Sequence, residues 1–82
     1  MTTKLILYST SSCHLCEEAA AILENLSSLD IAWHEIDIAE DNKLLAIYGT
    51  KIPVLRHTDS GREINWPFTQ SDVNLLIDSQ LQ

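Results

Sequence analysis

Cys13 and Cys16 stand three residues apart in YSTSSCHLCEEAA (8–20), where an apolar run stops and a helical pattern begins. Such a pair can exchange electrons, supply part of a metal site, or simply pack. A thiol attacks only as thiolate, and an ordinary cysteine is mostly protonated at neutral pH. The first turn of a helix offers unsatisfied backbone N–H groups and the positive end of the helix dipole, which both stabilise an anion. Cys13, at the N-cap or first helical position, is therefore the expected attacking sulfur, exposed and easily ionised. Cys16 lies one turn on and faces much the same way. That spacing brings two Cα atoms within disulfide range without rearranging the backbone, so Cys16 is placed to resolve a mixed disulfide formed at Cys13.

Charged neighbours pull in opposite directions. A protonated His14 adds positive charge beside the thiolate and favours it, whereas Glu17 and Glu18 suit the helix dipole but repel a thiolate. The other reading of His14 is a solvated residue with no electrostatic role.

A metal site needs more than this pair, because zinc takes four ligands. His34 or His57 could complete one, but the chain has no second Cys-x-x-Cys and no His-x-x-x-His. Both histidines fall on predicted strands away from the helix start. His34 is expected to pack against the sheet and His57 to face solvent on a hairpin, so no metal is expected within one chain. A metal bridging two chains is the surviving form of that reading.

The elements that must position these residues follow from hydrophobic patterning. KLILY (4–8) is a continuous apolar run, as expected of a strand covered on both faces. Leu15, Ala19, Ile22, Leu23 and Leu26 then form a helical stripe, and the helix should end near Ser27-Ser28. LDIAWHEID (29–37) alternates as a strand, with Trp33 packing at a sheet edge. Strand, helix and strand within about 35 residues make a βαβ unit with parallel strands. EDNKLLAIYG (40–49) reads as a helix stopped at Gly49. IPVLRH (52–57) and REINW (62–66) flank TDSG (58–61) as a hairpin. Thr69 through Gln80 form the last helix, capped by Thr69 or Ser71, with Val73, Leu76 and Ile77 facing the core. The expected architecture is α/β, one domain over residues 1–82, a four-stranded mixed sheet in the order βαβ-α-ββ-α with helices on both faces.

Eighty-two residues with 45% hydrophobic content describe a small globular unit. Two cysteines are too few for a disulfide-rich secreted scaffold. No signal peptide and no apolar stretch near the roughly 18 residues of a membrane span are visible, so a cytoplasmic location is expected, where such a pair is more often catalytic or metal-binding than structural. Twelve acidic against five basic residues give a net charge of −7, which argues against nucleic acid and anionic membranes as partners.

With YSTSSCHLC after the first strand, HEIDIAED after the first helix and YGTKIPVL entering the third strand, the chain resembles the glutaredoxin-like branch of the thioredoxin-fold family along nearly its whole length. The resemblance implies a thioredoxin-like fold. It also implies that Pro53 is cis beside the active cysteines and that Ile52 turns its backbone N–H and C=O outward, to pair with an extended substrate. Read from the residues alone, Pro53 is a trans proline opening a strand. The substrate-binding residues implied are Lys51, Ile52 and Pro53.

The departures bear on glutathione. His14 stands where many members have proline, and Ser11-Ser12 where glutathione binders carry a basic residue. NWPFTQSD (65–72) replaces a Gly-Gly turn and acidic residue. Only Ser71-Asp72 could stand in for the carboxylate-binding helix start and Lys51 for a cation, which leaves glutathione a doubtful ligand. Trp66, Pro67 and Phe68 either line a peptide groove or, the preferred reading, pack the last helix onto the sheet. The activity expected is reduction of protein or low-molecular-weight disulfides in cell redox homeostasis, with no cofactor beyond a redox-active Cys13–Cys16 pair and an unidentified reductant. The alternative is a metal-binding or non-catalytic adaptor of the same fold.

Overall fold

The computed structural model describes residues 3–26 and 31–78. In chain order these form β1 (Thr3–Ser9), α1 (His14–Glu24), β2 (Ile31–Asp37), a 3-10 turn (Ile38–Glu40), α2 (Asn42–Tyr48), β3 (Val54–His57), β4 (Glu63–Asn65) and α3 (Gln70–Asp78). The strands make one mixed sheet in the order β2-β1-β3-β4. β1 and β2 are parallel, from Thr3 opposite Ile31 to Ser9 opposite Asp37. β3 runs antiparallel to β1, with Leu5 opposite His57 and Tyr8 opposite Val54. β4 returns antiparallel to β3. The expected element order and sheet are therefore present. The expected helix end at Ser27-Ser28, the strand start at Leu29-Asp30 and the last helical residues Ser79-Gln80 lie outside the described residues.

β1 is covered on both faces, which explains its unbroken apolar run. Successive side chains alternate between faces. Leu5 and Leu7 join Ala19 and Leu23 of α1, Leu55 of β3, Phe68, and Val73 and Leu76 of α3 in one core cluster. On the opposite face Tyr8 and Val54 pack with Ile38 and with Tyr48 of α2. Trp33, on the outer strand β2, packs against the first cluster as expected.

Local capping sets the helix boundaries. The Asp41 carboxylate accepts the N–H groups of Lys43 and Leu44 at 2.8 and 3.4 Å, so α2 starts at Asn42 and not at Glu40. Asp37 likewise accepts the Ala39 N–H at 2.9 Å and starts the 3-10 turn. Such side-chain oxygens satisfy donors that a helix start leaves open. At α3, Thr69 and Asp72 cap reciprocally: the Asp72 N–H donates to Thr69 Oγ1 at 3.2 Å and the Thr69 N–H to Asp72 Oδ2 at 2.8 Å.

Three side chains depart from expectation. Leu15 is 45% exposed. The buried arc of α1 is Cys16, Ala19 and Leu23, and Leu15 sits at its margin in the first turn. His57 is buried, only 2% exposed, because strand parity places it with Leu55 on the α1/α3 side, opposite Leu5. Its Nδ1 lies 3.4 Å from both the N–H and the hydroxyl of Ser60. His34 is exposed. It pairs with Ile6 on the outer strand, and the α2-side cluster takes in Ile36 but not His34. The hairpin turn falls where the sequence placed it, with Gly61 at φ +75°, a conformation natural to glycine. Phe68 is buried in the core and meets Trp66 edge to face at 5.1 Å, so this aromatic stretch packs α3 onto the sheet.

Candidate active site

β1 ends at Ser9, and a tight loop carries the chain to α1 through Ser12 at φ 63°. A non-glycine residue with such a φ is uncommon and costs roughly 1–2 kcal/mol, which the surrounding structure must offset. The turn delivers Cys13 to the N-cap of α1, with φ −102° and ψ 102°. Its Sγ accepts the backbone N–H of Cys16 at 3.2 Å, and its carbonyl accepts the N–H of Glu17 at 3.2 Å. Of the two positions expected for Cys13, the N-cap is the one occupied.

Cys13 and Cys16 form a disulfide, with Cα atoms 5.2 Å apart. Cys16 is buried at 1% exposure beneath the first turn, while Cys13 is partly exposed. Only the outer sulfur is open to an incoming molecule. His14 projects into solvent, its Nδ1 3.5 Å from Glu17 and its Nε2 4.0 Å from Glu18. Those carboxylates face the imidazole across exposed positions, where ion pairs are worth little.

The loop rests on a buried hydroxyl that sequence reasoning missed. Ser9, 3% exposed, donates to Glu35 Oε2 at 2.6 Å and so joins the end of β1 to β2. Ser9, Thr10, Ser11, Glu35 and Asp37 line an open pocket of about 280 Å³ beside the loop. No periodicity marks Ser9, since it follows an apolar run as any strand-ending serine does.

The second approach to the site comes from β3. Because Tyr8 pairs with Val54 in antiparallel register, the C-terminal end of β1 and the N-terminal end of β3 lie at one end of the sheet. The Cys13 loop and the Ile52–Pro53 turn therefore emerge together, although Pro53 follows Cys16 by 37 residues. Pro53 is fully buried, and the Ile52–Pro53 and Trp66–Pro67 peptide bonds are both cis. The Ile52 N–H does not face outward as expected. It donates to the Tyr48 carbonyl at 3.2 Å, and the Lys51 N–H donates to the same oxygen at 2.8 Å, because the last carbonyls of a helix need donors. The Lys51 side chain is exposed.

Tyr48 also carries a polar cluster that the sequence did not disclose. Its ring stacks on Tyr8 at 4.3 Å and its hydroxyl donates to Glu63, which also accepts Arg56 Nη1 at 3.1 Å. Burial and the adjoining Glu63 carboxylate push the Tyr48 phenol up to about 12. Glu63 raises the Arg56 guanidinium as well. Arg56 and Glu63 are cross-strand partners, a pairing that the hairpin pattern could have revealed.

Other expected contributors are not assembled into the site. Asp72 accepts both the N–H and, at 3.1 Å, the hydroxyl of Thr69, so the start of α3 already carries a carboxylate, which opposes a second one. Among the described residues no group of three or more His, Cys, Asp and Glu converges as a metal site, and no helix is long and apolar enough to cross a membrane.

The chain is similar in structure to a protein from X. campestris, XcR50, solved by X-ray methods. The two are 34% identical with a TM-score of 0.79, covering 92% of this chain and 96% of that one. The solution structure of Ne2328 from Nitrosomonas europaea is 26% identical with a TM-score of 0.77, covering 93% and 92%. No curated protein matches. The glutaredoxin-like domain family (DUF836) matches residues 4–78. With a mixed sheet of thioredoxin-like form and a Cys-x-x-Cys pair at disulfide distance on the first helix, the chain belongs to the glutaredoxin-like domain family.

Proposed function

We propose that the protein is a cytoplasmic dithiol–disulfide oxidoreductase that reduces protein or small-molecule disulfides. The observation that carries this reading is the placement of Cys13: it caps α1, its sulfur accepts an N–H of the first turn, and it is bonded to the buried Cys16.

In the reduced protein the Cys13 thiolate attacks one sulfur of R–S–S–R, forming Cys13–S–S–R and releasing RS⁻. Cys16, once deprotonated, attacks Cys13 Sγ, releases the second RS⁻ and closes the intramolecular disulfide. Two electrons pass from the protein dithiol to the substrate, and an external thiol reductant restores the pair. His14 is the modulating residue, contributing positive charge when protonated against Glu17 and Glu18. The substrate lies along residues 51–53. Lys51 flanks it, the Ile52 carbonyl is the backbone group assigned to it, and Pro53 backs the turn. No cofactor takes part. The acidic surface disfavours glutathione, which is itself anionic.

Trapping tests the proposal. Cys16→Ser should accumulate a mixed disulfide with bound substrate identifiable by mass, and Cys13→Ser should accumulate none. Reduction of test disulfides by the wild-type protein but not by Cys13→Ser is the accompanying kinetic result. Equal turnover by both would overturn it.

A further inference from the structure

α2 is seven residues long, and its one buried residue is Tyr48. Leu45 and Ile47 on the same helix are 46% and 54% exposed. Leu44 is half-buried against the cluster that holds Tyr48, so α2 meets the sheet through Leu44 and, at its last position, the buried Tyr48. That residue makes three connections. Its carbonyl holds the N–H groups of Lys51 and Ile52, which shapes the turn into Pro53. Its ring lies flat on Tyr8, with 16° between the planes, and Tyr8 stands one residue before the end of β1. Its hydroxyl reaches Glu63 on β4, where Arg56 fixes the carboxylate from the neighbouring strand.

The two chain segments that meet at the site are thus both held by one residue, the strand entering the Cys13 loop through its ring and the turn entering Pro53 through its backbone carbonyl. We propose that Tyr48, held by Glu63 and Arg56, is a positioning residue that sets the Lys51–Ile52 backbone in register with the Cys13 sulfur. The proposal rests on the oxidoreductase reading and adds how an extended substrate is aligned. α2 and α1 pack on opposite faces of the sheet, and the Tyr48 hydroxyl stays neutral at the pH of the reaction. Its loss should disturb substrate alignment without changing how readily Cys13 ionises.

The test compares a disulfide-bearing extended peptide with bis(2-hydroxyethyl) disulfide, which has no backbone to align. In Tyr48→Phe the stack survives and the hydroxyl is lost. KM for the peptide should rise about threefold to tenfold, the range carried by alignment through a single hydrogen bond. Turnover of the small disulfide and the Cys13 titration midpoint should stay within about twofold and about 0.2 units of wild type. Glu63→Ala should reproduce the effect, and Glu63→Gln, which keeps an acceptor for the phenol, should restore most of the peptide KM. If Tyr48→Phe does not fold, the two Glu63 variants decide. Equal losses for both disulfides, or none for the peptide, would overturn the positioning role. A wild-type protein that reduces neither disulfide would instead overturn the oxidoreductase reading beneath it.

Discussion

The Sγ of Cys13 accepts the backbone N–H of Cys16 at 3.2 Å, so sulfur occupies the place that a capping oxygen takes at most helix starts. On reduction that sulfur faces the same donor, and the donor favours its charged form. A Cys16→Ser protein titrated by thiolate absorbance should give a Cys13 midpoint below the ordinary thiol value of about 8.5. A midpoint at or above that value would remove the electrostatic basis of the proposed chemistry.

Glu17 and Glu18 stand exposed on the helix that Cys13 caps, and a nearby carboxylate charge disfavours a thiolate. The double variant Glu17→Gln, Glu18→Gln should lower the Cys13 midpoint by a few tenths of a unit, roughly the scale of exposed charge pairs, and the shift should shrink in 1 M salt. His14→Ala should raise it at pH values where the imidazole is protonated. A midpoint indifferent to His14 would leave that residue as mere solvated surface.

Ser9 ties the base of the loop to Glu35 at 2.6 Å from a position 3% exposed. Ser9→Ala removes the donor but leaves Glu35 exposed enough to find water, so the cost should be about 1 kcal/mol. Urea denaturation should show a lower midpoint at unchanged slope. An unchanged midpoint would mean that the bond contributes nothing net.

Alkaline stability should report on Tyr48. Its phenol rises from 10.0 to about 12 in the folded protein because burial, then Glu63, disfavour the phenolate. The unfolded chain loses this proton first, so the contribution is fully present below about pH 10 and is lost as pH rises through about 12. Unfolding free energy should fall across that window by an amount on the order of 2 kcal/mol. Tyr48→Phe should flatten this part of the profile, and an identical slope in the variant would refute the assignment.

Leu55 is fully buried on β3, between β1 and β4. Leu55→Ala should cost about 2–5 kcal/mol, a large share of the 5–15 kcal/mol typical of whole domains. Leu75, 67% exposed on α3, is the control, and Leu75→Ala should stay within about 0.5 kcal/mol. Similar losses at both positions would contradict the burial pattern.

Local pattern made most of this architecture legible. The apolar run of β1, the stripe of α1 and the Asp-Ser-Gly turn each carry their own signal, and a βαβ order leaves few ways to arrange them. The cysteine pair was legible because three residues of spacing fix its geometry within one turn. What stayed hidden depends on neighbours distant in sequence. His57 is buried because of its partner Leu5 across the sheet, and Leu15 is exposed because Cys16 takes the inward direction one position later. The bond from Ile52 to Tyr48 depends on how α2 ends. Ser9 with Glu35, and Tyr48 with Glu63, join residues 26 and 15 positions apart, and neither pair has a motif.

The sheet ends at β4, an outer strand of three residues whose two exposed side chains are Glu63 and Asn65. A foreign chain seeking to extend the sheet there meets very little open backbone and a charged group already engaged. Short, polar rims of this kind discourage the zippering that leads to fibrils. Under the proposed exchange with protein disulfides, which would join the domain to other chains in transient covalent union, a border that is hard to add to is a particular gain.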